Sequence, residues 1–151
     1  MNVEDVIKHY RDVAFLENRK RLNLLIEFRD LVKKYFDNST LNMVTGKYNE
    51  NQEAMEAQKE INLIMKKAYQ IIRMADIKTS LVSSSSHAVA GHGKNLDLIL
   101  NIFNLARNDI PLTIATDYIE SAIDVYKSNR LRSFMRTINP FFWVTVLLKY
   151  R

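Results

Sequence analysis

The side chains best equipped for chemistry sit in one short stretch of this 151-residue chain: His87, His92 and Lys94, with Gly91 and Gly93 around His92. An imidazole exchanges protons near neutral pH, and glycines let a backbone approach a phosphate closely. The spacing supports neither use. Gly91-His92-Gly93-Lys94 lacks the longer Gly-x4-Gly-Lys-Ser/Thr frame of a phosphate-binding loop. His87 and His92 are five apart, which is not one helical face, and the first carboxylate to follow is Asp97. The chain has no Cys, so disulfides and thiolate metal sites are excluded. The stretch reads as a solvated hinge, and the expectation is a non-catalytic protein with no metal and no cofactor.

A second group of residues suits binding. All 17 acidic residues lie at or before Asp124, so residues 127–151 carry Lys127, Arg130, Arg132, Arg136, Lys149 and Arg151 with no acid, a local charge of +6. Residues 1–126 sum to −1, which places the whole basic excess of the +5 chain at its end. Asymmetry of this kind points to an anionic partner, lipid or nucleic acid. Asn139-Pro140 follows the basic run and leads into Phe141-Phe142-Trp143 and then Val144 to Leu148. Trp and Phe favour the headgroup level of a bilayer, and flanking Lys and Arg mark its cytoplasmic side.

Lys127, Arg130, Arg132 and Arg136 are therefore the candidate contacts to anionic headgroups. Phe141, Phe142 and Trp143 are the candidate interfacial anchors. The apolar run from Pro140 to Leu148 is nine residues. A membrane span needs about 20, so this run can lie in the interface but cannot cross. Continuation past Arg151 into a transmembrane helix is an expectation such a layout raises. The competing reading is that Phe141 to Leu148 folds back as a short core helix. A nucleic-acid partner is a weaker alternative, with Arg130, Arg132 and Arg136 on phosphates and Tyr126 and Tyr150 stacking. No helix-turn-helix spacing, zinc motif or RNA-binding signature accompanies them.

The elements that position these residues are helical. Only three Gly and two Pro interrupt the chain, which favours long helices and an all-α fold. Residues 3–36 read as one helix of roughly 50 Å. Its heptad seam is Val3, Ile7, Tyr10, Ala14, Glu17, Arg21, Leu24, Phe28, Leu31 and Tyr35. Glu17 and Arg21 stand four apart and can pair, as part of a solvated charged face that includes Arg19 and Lys20. A loop follows over 37–50, pinned to the core by Leu41, Met43 and Val44. A second long helix runs from about Asn51 to about Leu81 on a small-residue seam of Ala54, Ala57, Ile61, Ile64, Ala68, Ile71 and Ala75. The two predict an antiparallel hairpin in a four-helix-type bundle, with a helical partner or a homodimer as a further use of the heptads.

The serines of 83–86 and the glycines beyond mark a break. A third, central helix is expected from Asn95 to Asn108, and a fourth from Leu112 or Thr116 to Ile138, with Phe134, Met135 and Ile138 on its buried face. Residues 1–138 form the bundle domain in this reading, and 139–151 a basic, aromatic juxtamembrane or interfacial segment. The N-terminus, Met1 to Asp5, lacks the basic start and apolar core of a signal peptide. The function expected is a cytoplasmic, membrane-apposed scaffold, binding or regulatory module.

Overall fold

A computed structural model describes residues 8–83, 94–108 and 110–149. The protein is mostly helical. Five α-helices are formed by the described residues: α1 Phe15–Asp37, α2 Gln52–Met74, α3 Leu112–Ser128, α4 Arg130–Ile138 and α5 Pro140–Lys149. Two antiparallel β-hairpins join them, β1 Ser39–Asn42 with β2 Lys47–Glu50, and β3 Ser80–Ser83 with β4 Lys94–Asp97.

The first helix is shorter than its periodicity predicts. It begins at Phe15, after an extended Ala14 and a single 3-10 turn over Tyr10–Asp12. The cause lies in the backbone carbonyls upstream. The Lys8 carbonyl accepts from the Arg21 guanidinium and the Tyr10 carbonyl from the Asn129 amide, so both are engaged elsewhere than in a helical ladder. The seam keeps Arg21, Phe28 and Tyr35 as its spacing predicts, but its alternate positions move one residue on, from Glu17, Leu24 and Leu31 to Asn18, Leu25 and Val32. Asn18, Arg21, Leu25, Phe28, Val32 and Tyr35 are buried, whereas Glu17 is exposed and Leu24 and Leu31 lie at the margin. Arg21 does pair with Glu17, at 3.0 Å, but its guanidinium is buried and not part of a solvated face.

The segment after α1 is a β-hairpin. Gly46 takes a φ of +62°, a left-handed conformation that glycine adopts without strain. The Asn42 side chain accepts from the amides of Val44 and Thr45 and closes the turn. Met43 and Val44 stand exposed at its tip and do not pin it. Aromatic stacking does so instead: Tyr35 meets Phe103 at 4.8 Å and Phe36 at 4.9 Å, and Phe36 meets Tyr48 at 5.1 Å. The Tyr35 hydroxyl donates to Glu50 at 2.6 Å. Burial, with that carboxylate, pushes the Tyr35 phenol well above its usual value.

In α2 the alanine seam is buried as its spacing predicts, from Ala54 and Ala57 through Ile61, Ala68 and Ile71 to Ala75. The Asn51 side chain caps it by accepting from the Ala54 amide at 2.9 Å. The helix ends at Met74, earlier than expected, because Asp76 turns the chain with a φ of +62° and residues 80–83 form a strand.

The expected third helix is absent. Residues 94–97 are β4, and 102–108 wind as a 3-10 helix. Asp97 directs this: its carboxylate accepts from the amides of Ile99 and Leu100 and from the Thr79 hydroxyl. The apolar side chains are nonetheless central, with Leu98, Ile99, Ile102 and Leu105 buried in the core.

The expected fourth helix is divided at Asn129 into α3 and α4. Asn129 is buried and fully engaged. Its amide nitrogen donates to the Tyr10 carbonyl at 2.8 Å and to Asn18 Oδ1 at 3.0 Å, and its Oδ1 accepts from Arg136 at 3.2 Å. Asn18 in turn donates to the Tyr126 carbonyl, and the Tyr126 hydroxyl donates to the Ile71 carbonyl and accepts from Arg21. This buried polar chain joins the N-terminal strap of residues 8–14 to α1, α2, α3 and α4. Burial raises the Tyr126 phenol above its usual value, so it remains the protonated donor the network requires. Replacing Asn129 by Ala strands the Tyr10 carbonyl and Asn18 Oδ1, and should lower stability in urea denaturation by about 1–3 kcal/mol. A loss below about 0.5 kcal/mol, the ordinary range for an inconsequential change, would show that the network does not hold the strap.

Candidate functional site

The division at Asn129 determines which side of α4 meets solvent. Ser133 and Thr137 are four residues apart and line one side of the helix. That side packs on the start of α1: Ser133 is buried, and Thr137 Oγ1 accepts from the Phe15 amide at 2.9 Å. The Phe15 ring meets Phe134 edge-on at 5.7 Å. The opposite side carries Leu131, Phe134, Met135 and Ile138, spaced i, i+3, i+4, i+7 as one apolar stripe. All four are exposed, Leu131 at 72%. Phe134, Met135 and Ile138, expected from their spacing on a buried face, are thus on the exposed one. The helix is amphipathic as expected, but inverted, because the small polar side fits against α1 and the bulky side is left out.

The final helix continues the pattern. Of its ten residues only Val146 is buried, with Phe142 half-buried one turn before it. Lys149, on the same edge, pairs with Asp12 of the strap. Trp143 Nε1 donates to the Thr137 carbonyl at 3.2 Å and its ring stacks edge-on against Phe142. Everything else faces outward: Phe141, Val144, Leu147 and Leu148 are exposed, Phe141 at 80%. The tail therefore folds back only along one edge. Nine of the fifteen exposed large apolar side chains among the described residues lie between Leu131 and Leu148. Exposed apolar clusters of this density mark a surface that something else covers.

The basic residues fall around this surface unequally. Arg130 and Arg132 are exposed and, among the described residues, make no ion pair. On the α4 wheel they flank the apolar stripe about 100° to either side, where long basic chains reach past an apolar face to a polar boundary. Lys127 is exposed and pairs loosely with Asp124 at 3.5 Å. Arg136 is turned inward, with Nη1 buried and unbonded among the described residues. Burial holds its guanidinium below the usual value, with nearby Asp12 pulling the other way. Tyr126 is wholly buried and cannot stack on a base.

His87, His92 and Tyr150 lie outside the described residues, as does the side chain of Lys94. An open cleft of about 790 Å³ is lined by Tyr69, Arg73, Asp76, Lys78, Thr79 and Asp97. Its two carboxylates are engaged, Asp97 with Thr79 and Asp76 with His9. No cluster of three potential metal ligands occurs among the described residues. No described helix is long and apolar enough to cross a membrane. No protein-family model, no curated protein and no solved structure matches this chain.

Phe141, Trp143, Arg130 and Arg132, singled out from the sequence, are exposed, whereas the sequence did not single out Leu131 or the outward face of α4. The signal was the Ser133/Thr137 pair, which sits opposite four large apolar residues and prefers the close contact. Leu131→Ser and Ile138→Ser should each change thermal stability by less than about 0.5 kcal/mol, because neither side chain is packed. Ser133→Leu should lower it by about 1–3 kcal/mol by overfilling the contact with α1. The reverse ranking in melting experiments would show that α4 packs by its apolar side.

Proposed function

We propose that this chain is a non-catalytic, membrane-apposed binding or scaffold module that rests α4 and α5 on an anionic lipid surface. One observation carries the reading. The longest exposed apolar stretch of the described surface, Leu131 to Leu148, lies within the longest and most basic acid-free stretch of the sequence, residues 125–151. An anionic leaflet complements both properties at once. It takes up the apolar stripe of α4 and the outer face of α5, and it attracts the basic side chains along their flanks.

The finer architecture suits this use. Within a bundle-type arrangement, the paired seams of α1 and α2 would form a rigid hairpin that carries the two terminal helices at one end. Arg130 and Arg132 are the contacts to headgroups, with Lys127 beside them. Phe141 and Trp143 are the anchors, and Phe142 supports Trp143 from beneath. The location that follows is the cytoplasmic face of a membrane, as a peripheral protein. Each basic residue at such a surface contributes on the order of 1 kcal/mol, so three supply a few kcal/mol before any insertion.

Vesicle co-sedimentation tests this. Binding to phosphatidylcholine vesicles should be weak, and adding phosphatidylserine should tighten it at least tenfold. Phe141→Ser combined with Leu148→Ser should abolish most of that gain. Binding that ignores phosphatidylserine would remove the lipid assignment. A dimer of twice 17.7 kDa in light scattering, lost in the same double variant, would show that a second copy covers the face instead.

A further inference from the structure

The strongest unassigned feature is a small cavity between the start of α1 and the start of α4. Its volume is about 240 Å³, and Phe15, Asn18, Arg19, Leu22, Asn23 and Arg130 line it. The two arginines belong to different helices and reach the same space. Both are exposed, and neither makes an ion pair among the described residues. Cations that share one small cavity repel each other unless an anion lies between them.

We infer that Arg19 and Arg130 together bind the phosphate group of a phospholipid headgroup in this cavity. The inference rests on the membrane reading above and gives it a defined subsite. A guanidinium presents two parallel N–H groups that match two phosphate oxygens, which a lysine cannot do. The exposed Asn23 amide stands one turn from Arg19 on α1 and adds a neutral donor. Asn18 contributes only wall, because its nitrogen is committed to the Tyr126 carbonyl and its oxygen to Asn129.

The remaining lining is apolar and leads the right way. Phe15 stacks on Phe134, which belongs to the exposed stripe of α4. Leu16, next to Phe15, is exposed beside it in the chain. A phosphate held between the arginines would thus have its glyceride side next to the surface proposed to meet the acyl layer. The arrangement also assigns a role to Arg19, which lies far in sequence from the basic end and which charge counting alone would overlook.

The test compares neighbours on one helix. Arg19→Gln and Lys20→Gln remove the same charge from adjacent exposed positions, and only Arg19 lines the cavity. On vesicles of phosphatidylcholine with phosphatidic acid, Arg19→Gln should weaken binding about tenfold and Lys20→Gln less than about twofold. Equal losses would reduce the effect to general surface charge and overturn the site. A second measurement does not require a membrane. Inorganic phosphate titrated into the 151-residue chain should shift the side-chain NMR signals of Arg19 and Arg130 together, at concentrations where chloride of equal ionic strength does not. Shifts without vesicle binding would keep the phosphate site and sink the lipid reading. Vesicle binding without shifts, and with equal losses in the two variants, would do the reverse.

Discussion

The buried amide of Asn129 decides what the rest of the molecule exposes. A side chain with two donors and an acceptor, held away from water, must find partners or cost about 1–3 kcal/mol. Asn129 finds the Tyr10 carbonyl, Asn18 and Arg136. Those bonds draw the strap of residues 8–14 across the bundle and divide what would otherwise be one helix. Once the division is made, Ser133 and Thr137 of α4 pack against α1, and the large apolar residues of α4 have nowhere inward to go.

From there the surface properties follow in order. α5 starts at Pro140, which cannot donate to a continuing helix and so re-aims the chain. Its attachment is narrow, with Val146 buried, Phe142 half-buried, Trp143 bonded to the Thr137 carbonyl and Lys149 paired with Asp12, so most of its apolar side chains remain outside. The same 25 residues hold six cations and no acid. A buried core needs apolar groups without charge, and a solvated tail needs charge without bulk. A segment that combines both is what the proposed lipid contact, with oil on one side and phosphate on the other, would take up.

Much of this was legible in the sequence where one local pattern was enough. The alanine seam of α2 is a strict repeat, and it is buried as written. The C-terminal charge imbalance needs only counting, and Phe141 and Trp143 are exposed as that reading expects. Legibility failed where a distant partner decided the outcome. In α1 the buried position fell on Asn18 and not on Glu17 because Asn18 answers to Tyr126 and Asn129, which lie more than a hundred residues away. Residues 95–108 have a helix-like apolar pattern, yet the pairing of β3 with β4 and the bond from Thr79, just before β3, to Asp97 at the end of β4 override it. Phe134, Met135 and Ile138 obey helical periodicity, but periodicity does not say which side faces the core. Arg19 reads as an ordinary exposed charge until α4 is placed beside it.

The most direct measurement uses Trp143, the single tryptophan of the chain. Its fluorescence should be strongly quenched when the protein meets anionic vesicles whose acyl chains carry bromine close to the headgroups. Bromine placed near the bilayer centre should quench it weakly, because the proposal puts α5 in the interface and not across the bilayer. Emission indifferent to bromine at every depth, with the protein bound to the vesicles, would mean that the apolar face of α5 never enters the lipid.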